Sequence, residues 1–302
     1  MRALVTGATG FVGKRLLTKL ERPVVLSRDA ERAKKTLAAF NVTAFNWNAE
    51  KEPAPAEAFA GVDTVFHLAG DPVAEGRWTT AKKRRLMDSR ELGTRHLVQT
   101  LAGLTNKPKV LVSASAVGYY SDRGDELLTE TSAPRNDFLA EICKAWEREA
   151  FAAEKAGIRV VCIRVGIVLG PKGGALQKML PPFKMGVGSP LGSGNQFMPW
   201  IHLDDLVGMF LFAAENDNVR GPMNGVAPNP VTNREFTKSL GRVLHRPTFF
   251  PPVPGFMLKL ALGEFGSILL HSQRVIPKKA FDSGFEYQYP ELEPALQNVV
   301  SA

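Results

Sequence analysis

The chain has 302 residues, 44% of them hydrophobic and 23% charged, with 38 Lys and Arg against 30 Asp and Glu. That length admits one large or two ordinary domains, and that balance excludes wholesale disorder. The two cysteines, Cys143 and Cys162, match no zinc or redox spacing, which excludes a disulfide scaffold and points to a reducing, cytoplasmic setting.

The longest apolar stretches, such as Leu203–Ala214, are broken by acids or glycine, so no membrane span and no membrane partner are expected. The N-terminus enters a strand pattern directly, without a signal-peptide layout. The net charge of +8 is dispersed, with no interleaving of aromatic and basic residues, so no nucleic-acid partner is expected. The one dense run, Lys82-Lys83-Arg84-Arg85, is read as a solvated helix face.

In chain order, Arg2–Thr6, Val24–Ser27, Val62–Leu68, Val110–Ser113 and Arg159–Arg164 read as buried strands, with a weaker one at Val42–Asn46. Helical patterns over Phe11–Leu20, Ala30–Phe40, Thr80–Leu104 and Asp137–Ala156 lie between them. This alternation predicts an α/β fold: a Rossmann-type, doubly wound parallel sheet over residues 1–169. After a Pro-Gly breaker at 171–174 come helices at Ala175–Phe183, Leu203–Glu215 and Thr232–Leu244, with Thr232 or Asn233 as cap of the last. Residues 170–302 are expected to form mostly a smaller C-terminal substrate lobe, with about 200–227, including a strand at Asn224–Val226, returning to the sheet.

Gly7-Ala8-Thr9-Gly10-Phe11-Val12-Gly13 follows a strand and opens a helix. In that context Gly7 permits the turn, Gly10 lets backbone N–H groups approach a pyrophosphate, and Gly13 lets helix and strand pack closely. The spacing is G-x-x-G-x-x-G. At the end of the second strand, where NAD sites carry an acid ~20 residues on, stand Ser27 and Arg28. A hydroxyl and a guanidinium suit a 2′-phosphate, so NADP is expected; Asp29 is read as a helix cap. Further strand ends place Leu68, Ala69, Gly70, Ser113 and Val165 toward the cofactor, whereas His67 is read as a packed strand residue.

These blocks, with Gly76-Arg77-Trp78, Ser89-Arg90, Trp146-Glu147, Pro190–Gly194, Trp200-Ile201-His202 and Gln273–Pro277, make the chain resemble the extended short-chain dehydrogenase/reductase superfamily over nearly its whole length. Within it the chain is similar to an atypical, NAD-dependent epimerase/dehydratase-like group. The resemblance implies an NADP-binding oxidoreductase or epimerase-like protein acting on a small hydroxyl or carbonyl substrate. It places Ser115 at the superfamily's Ser position and Lys144 at its Lys position, with Lys144 also on the cofactor ribose. The usual tyrosine, four residues before that lysine, is replaced by Ala140, and no Tyr-x-x-x-Lys occurs anywhere in the chain.

Two readings stay open. Another group, such as Tyr119, supplies the proton, or the chain is a catalytically silent NADP-binding redox sensor or interaction module. Arg90 lies where relatives carry an Asn near the nicotinamide and is expected to contact cofactor or an anionic substrate. Arg77, Trp78 and Trp200 are expected on the substrate side. The resemblance implies a homodimer formed through the helices at 80–104 and 137–156. His202, Asp204 and Asp205 are read as helix-start residues, with an Asp as cap, and no metal site is expected.

Overall fold

The computed structural model describes residues 1–171 and 173–301. The first half runs β1 (Ala3–Thr6), α1 (Phe11–Leu17), β2 (Val24–Ser27), α2 (Ala30–Thr36), β3 (Thr43–Asn46), β4 (Thr64–His67), α3 (Thr80–Gly103), β5 (Val110–Ala116), β6 (Leu127–Leu128), α4 (Phe138–Phe151) and β7 (Arg159–Val165). The second continues with β8 (Ile167–Leu169), α5 (Gly174–Lys184), β9 (Phe197–Met198), β10 (Trp200–His202), α6 (Leu203–Glu215), β11 (Gly221–Gly225), β12 (Val231–Thr232) and α7 (Asn233–Val243). The chain closes with α8 (Gly255–Leu262), α9 (Glu264–Ile268), β13 (Arg274–Val275), α10 (Lys278–Asp282) and α11 (Leu292–Ser301).

The main sheet has seven parallel strands in the order β11-β7-β5-β4-β1-β2-β3. The strand order reverses between β1 and β4, and in such sheets the crevice at the carboxyl ends there takes the ligand. Alternation along each strand divides the core in two. Val5, Phe66, Val112 and Ile163 face α6, while Leu4, Val65, Leu111 and Val160 face α3 and α4. A third cluster, around Trp200, Phe236 and Leu296, holds the C-terminal lobe.

The expected strands and helices all form, with informative differences at their ends. β5 continues past Ser113 because small Ala114 and Ala116 pair in register with Ile163 and Val165. α4 stops at Phe151 and tightens into a 3₁₀ turn closed by Gly157 at φ +79°. α7 begins with a reciprocal capping box between Thr232 and Glu235. The expectation for residues 82–85 needs correction. Arg84 and Arg85 are exposed, but Lys82 is buried, its ammonium 2.6 Å from Asp71, and Lys83 pairs with Glu264 of the C-terminal lobe.

Ser115, Arg164 and Asn224 are register neighbours on β5, β7 and β11. Arg164, 2% exposed, donates through Nε and Nη2 to the two oxygens of Glu147 on α4, both at 2.8 Å. Its Nη1 donates to the Tyr120 hydroxyl and the Glu130 carbonyl, and the Tyr120 hydroxyl bonds Asn224. Removing one partner of a buried pair strands the other charge, at ~3–5 kcal/mol. Glu147→Ala is therefore expected to lower unfolding free energy by about that amount, measured by urea denaturation; a loss below about 1 kcal/mol would contradict this reading.

Candidate functional site

Local chemistry at the β1–α1 turn explains the three glycines. Gly7 has φ +69°, and a Cβ there would lie 2.7 Å from the Leu68 carbonyl oxygen. A Cβ on Gly13 would lie 2.4 Å from the Gly7 oxygen. Gly10 closes the turn by donating its N–H to Gly7 O at 3.0 Å, and no side chain caps the start of α1. Phe11 packs its ring on Gly170, Gly173 and Gly174, fastening the segment after β8 over the turn.

Beside the turn is a cavity of about 320 Å³. Among the expected residues, Gly7, Thr9, Gly10, Ser27, Arg28, Leu68, Ala69 and Gly70 line it. Phe11, Val12, Gly13, Arg90, Ser113, Lys144 and Val165 are not part of its wall. Trp47, Asn48, Ala49 and Glu50 are, and sequence reasoning missed them. Their signal was available, because they directly follow the β3 strand end. Arg28 is exposed and has no hydrogen-bond or ion-pair partner among the described residues. Asp29 caps α2 by accepting from Arg32 N. A turn that a Cβ would fill, an adjoining cavity, and a rim with a hydroxyl and a free guanidinium together fit a phosphorylated dinucleotide.

His67 stands behind this wall, fully buried. The Thr6 hydroxyl accepts the backbone N–H groups of Leu68 and Ala69, both at 3.1 Å, and so donates its own proton to His67 Nδ1 at 2.8 Å. Nε2 then carries the ring proton and donates to Thr94 at 3.0 Å. Burial, reinforced by Arg90, pushes the imidazole down to about 4. It is a neutral strut for the cavity wall, as its packed strand position implied.

The expected catalytic groups are not assembled. Ser115, 3% exposed, donates its hydroxyl to Glu147 at 2.7 Å, so its proton is committed to α4. The Lys144 ammonium bonds Glu141 at 2.5 Å and Asn136 at 3.4 Å. The α4 positions facing the end of β5 are Leu139 and Cys143 instead. A Cβ on Gly118 would meet Leu139 at 3.2 Å and the Cys143 sulfur at 3.8 Å, and Cys143 Sγ donates to Ala116 O at 3.5 Å. Lys144 lies one residue, about 100°, around the helix from that face. Burial and the nearby Glu147 push the Cys143 thiol up to about 12, so it stays protonated. Tyr119 is half-buried, with its ring 3.5 Å from the Arg164 guanidinium carbon.

The substrate-side residues also need correction. Trp78 is buried, donates to Val73 O and packs against Phe138 and Phe265, so its ring serves packing. Trp200 is 1% exposed and donates to Asn229 O inside the lobe core. Arg77 donates to the Leu260 carbonyl of α8. The cap of α6 is His202, whose Nδ1 accepts from Asp204 N; Asp204 pairs with Arg15, and Asp205 accepts from Gln288 and Tyr289 N–H groups. No group able to hold a metal occurs among the described residues.

The fold and this site define a Rossmann-type dinucleotide-binding protein. The sequence profile of the NAD dependent epimerase/dehydratase family matches residues 3–224, and a domain of unknown function (DUF1731) matches residues 253–299. Epimerase family protein YfhF of Bacillus subtilis is 39% identical over 306 residues, covering 100% of this chain and 98% of its own. The chloroplastic epimerase family protein SDR39U1 homolog of Arabidopsis thaliana is 40% identical, covering 99% and 87%. The crystal structure of human epimerase family protein SDR39U1 (isoform 2) with NADPH matches with a TM-score of 0.88 at 32% identity, over 100% of this chain and 99% of that one. The chain therefore belongs to the NAD-dependent epimerase/dehydratase family and is an NAD(P)-binding, epimerase-like protein.

The depressed His67 sets a pH dependence. Folded, the ring stays neutral to about pH 4; unfolded, it protonates below about 6.5. Its contribution is full above about 6.5 and is lost as pH falls toward 4, amounting to about 2 kcal/mol at pH 5. Urea melts at pH 7 and pH 5 should show this drop in the wild type and a smaller one in His67→Gln. Equal drops would remove His67 from the account.

Proposed function

We propose that this chain is an NADP(H)-dependent, epimerase-like oxidoreductase acting on a small hydroxyl or carbonyl compound. The observation that carries the cofactor choice is the free Arg28 guanidinium beside Ser27 on the cavity rim. The NADPH bound to the human relative supports it. Gly7, Thr9 and Gly10 would hold the pyrophosphate, Ser27 and Arg28 the 2′-phosphate, and Leu68, Ala69 and Gly70 the adenosine side. When bound, NADP(H) supplies hydride chemistry; the protein's part is to orient it and exclude water.

Arg90 is assigned to the far half of the cofactor. It is 9% exposed, and Nη1 donates to Leu86 O at 3.1 Å. No carboxylate pairs with it among the described residues. Its guanidinium presses on Gly70, where a Cβ would sit 3.0 Å from the guanidinium carbon. A buried cation with no ion-paired carboxylate among the described residues, packed behind Gly70 of the cavity wall, is suited to an anionic or polyol ligand. In this reading Arg90 on α3 holds the nicotinamide ribose in place of Lys144.

A second reading, binding without turnover, is favoured by the commitment of Ser115 to Glu147 and of Lys144 to Glu141. NADPH consumption against a panel of carbonyl compounds separates the two. Turnover that Tyr119→Phe reduces supports the enzyme; tight binding with no consumption supports the silent protein.

Arg28→Ala is expected to weaken NADP binding tenfold or more while sparing NAD, since a charge-assisted phosphate contact contributes ~1.5–3 kcal/mol. Titration calorimetry with both cofactors tests this, and equal loss for both would sink the assignment. Arg90→Met should weaken NADPH by about tenfold yet leave 2′,5′-ADP, which lacks the nicotinamide half, unchanged. Arg28→Ala should weaken both ligands. Equal effects of Arg90→Met on the two would place Arg90 elsewhere.

A further inference from the structure

We propose that helix α8, with the adjoining Phe249-Phe250 pair, docks the protein on an anionic lipid bilayer. The proposal is independent of the cofactor reading. An ordinary surface helix turns its apolar stripe inward. α8 does the reverse: of Gly255-Phe256-Met257-Leu258-Lys259-Leu260-Ala261-Leu262, only Leu258 is buried. Phe256 is 71% exposed and Leu260 77%. Phe249, 78% exposed, stacks on Phe250 at 5.0 Å.

This outward display is held in place. Gly266 of α9 approaches so closely that a Cβ there would lie 2.2 Å from the Leu258 carbonyl oxygen, and Arg77 bonds the Leu260 carbonyl at 3.0 Å. The aliphatic side chains are therefore presented by a braced helix.

Charge selects the occupant. No Asp or Glu occurs from Phe236 to Gly263, whereas Lys238, Arg246 and Lys259 do, together with Arg242, which pairs with Glu293. Leu191 bridges to Val253, bringing in the segment that exposes Met185 and Val187, and residues 173–203 also lack any carboxylate. A second copy docked isologously would set cations against cations. Apolar side chains beside Lys238, Arg246 and Lys259, with the adjoining Glu264 already paired to Lys83, match an anionic bilayer, where aliphatic groups enter the headgroup boundary and Lys or Arg meets lipid phosphate. Eight residues make a helix about 12 Å long, too short to span and suited to lying in the interface. The missing membrane span, which argued against a membrane partner, does not bear on such a face.

Co-sedimentation of the full chain with vesicles tests it. Wild type should bind phosphatidylglycerol-containing vesicles at least about tenfold better than pure phosphatidylcholine, with binding weakened by salt. Leu260→Asp, Phe256→Asp and Lys259→Glu should each lower that binding about tenfold. Their melting temperatures and dinucleotide binding should stay unchanged, because these side chains are exposed. No sedimentation with anionic vesicles, or equal sedimentation of the variants, would overturn the proposal. So would a wild-type dimer that Leu260→Asp dissociates without any vesicle binding, which would give the face to a second copy.

Discussion

The bidentate ion pair between Glu147 and Arg164 organises the end of the sheet where the chemistry would be expected. It joins α4 to β7, and through Ser115 and Tyr120 it reaches β5 and β11. Burial lowers the Arg164 pKa, but the Glu147 carboxylate and the Tyr120 hydroxyl more than offset it and hold the pKa above the ordinary value. Burial, opposed by Arg164, pushes the Tyr120 hydroxyl up to about 12 and keeps it protonated, able to donate to Asn224. Each of the three guanidinium nitrogens has a hydrogen-bond partner, and such well-satisfied networks are rigid.

That rigidity constrains function. A serine whose proton is held by a buried carboxylate is poorly placed to donate to a substrate oxygen. The α4 face presented to the end of β5 carries Leu139 and a protonated thiol, so the pocket lacks the tyrosine–lysine pair by geometry as well as by sequence. Arg90 is instead brought from α3 against Gly70, a residue of the cavity wall.

The C-terminal lobe is joined to the sheet domain through buried and bonded contacts. Lys83 reaches Glu264, Phe265 packs on Trp78, and Arg77 reaches the Leu260 carbonyl. The segment after β4 thus packs against α8 and α9, which accounts for the buried indole of Trp78. The same contacts brace α8 with its apolar side chains outward.

The sequence by itself determined the parallel sheet, the glycine turn and the Ser27-Arg28 strand end on the cavity rim. Val/Ile/Leu runs alternate with amphipathic stretches, and Gly7, Gly10 and Gly13 have a local geometric cause. Ser27-Arg28 is legible for the same reason, because a strand end defines its neighbours in space as well as in order. It also excluded a Tyr-x-x-x-Lys outright. Only the tertiary structure decided which α4 face meets β5, since one residue of helical phase separates Cys143 from Lys144 and no periodicity fixes it. It alone paired Ser115 with Glu147 and Lys82 with Asp71, turned Trp78 and Trp200 into the core, and left α8 facing out. Those outcomes depend on partners distant in sequence, such as Glu147 for Ser115 or Arg77 for the Leu260 carbonyl, and only folding brings those partners together.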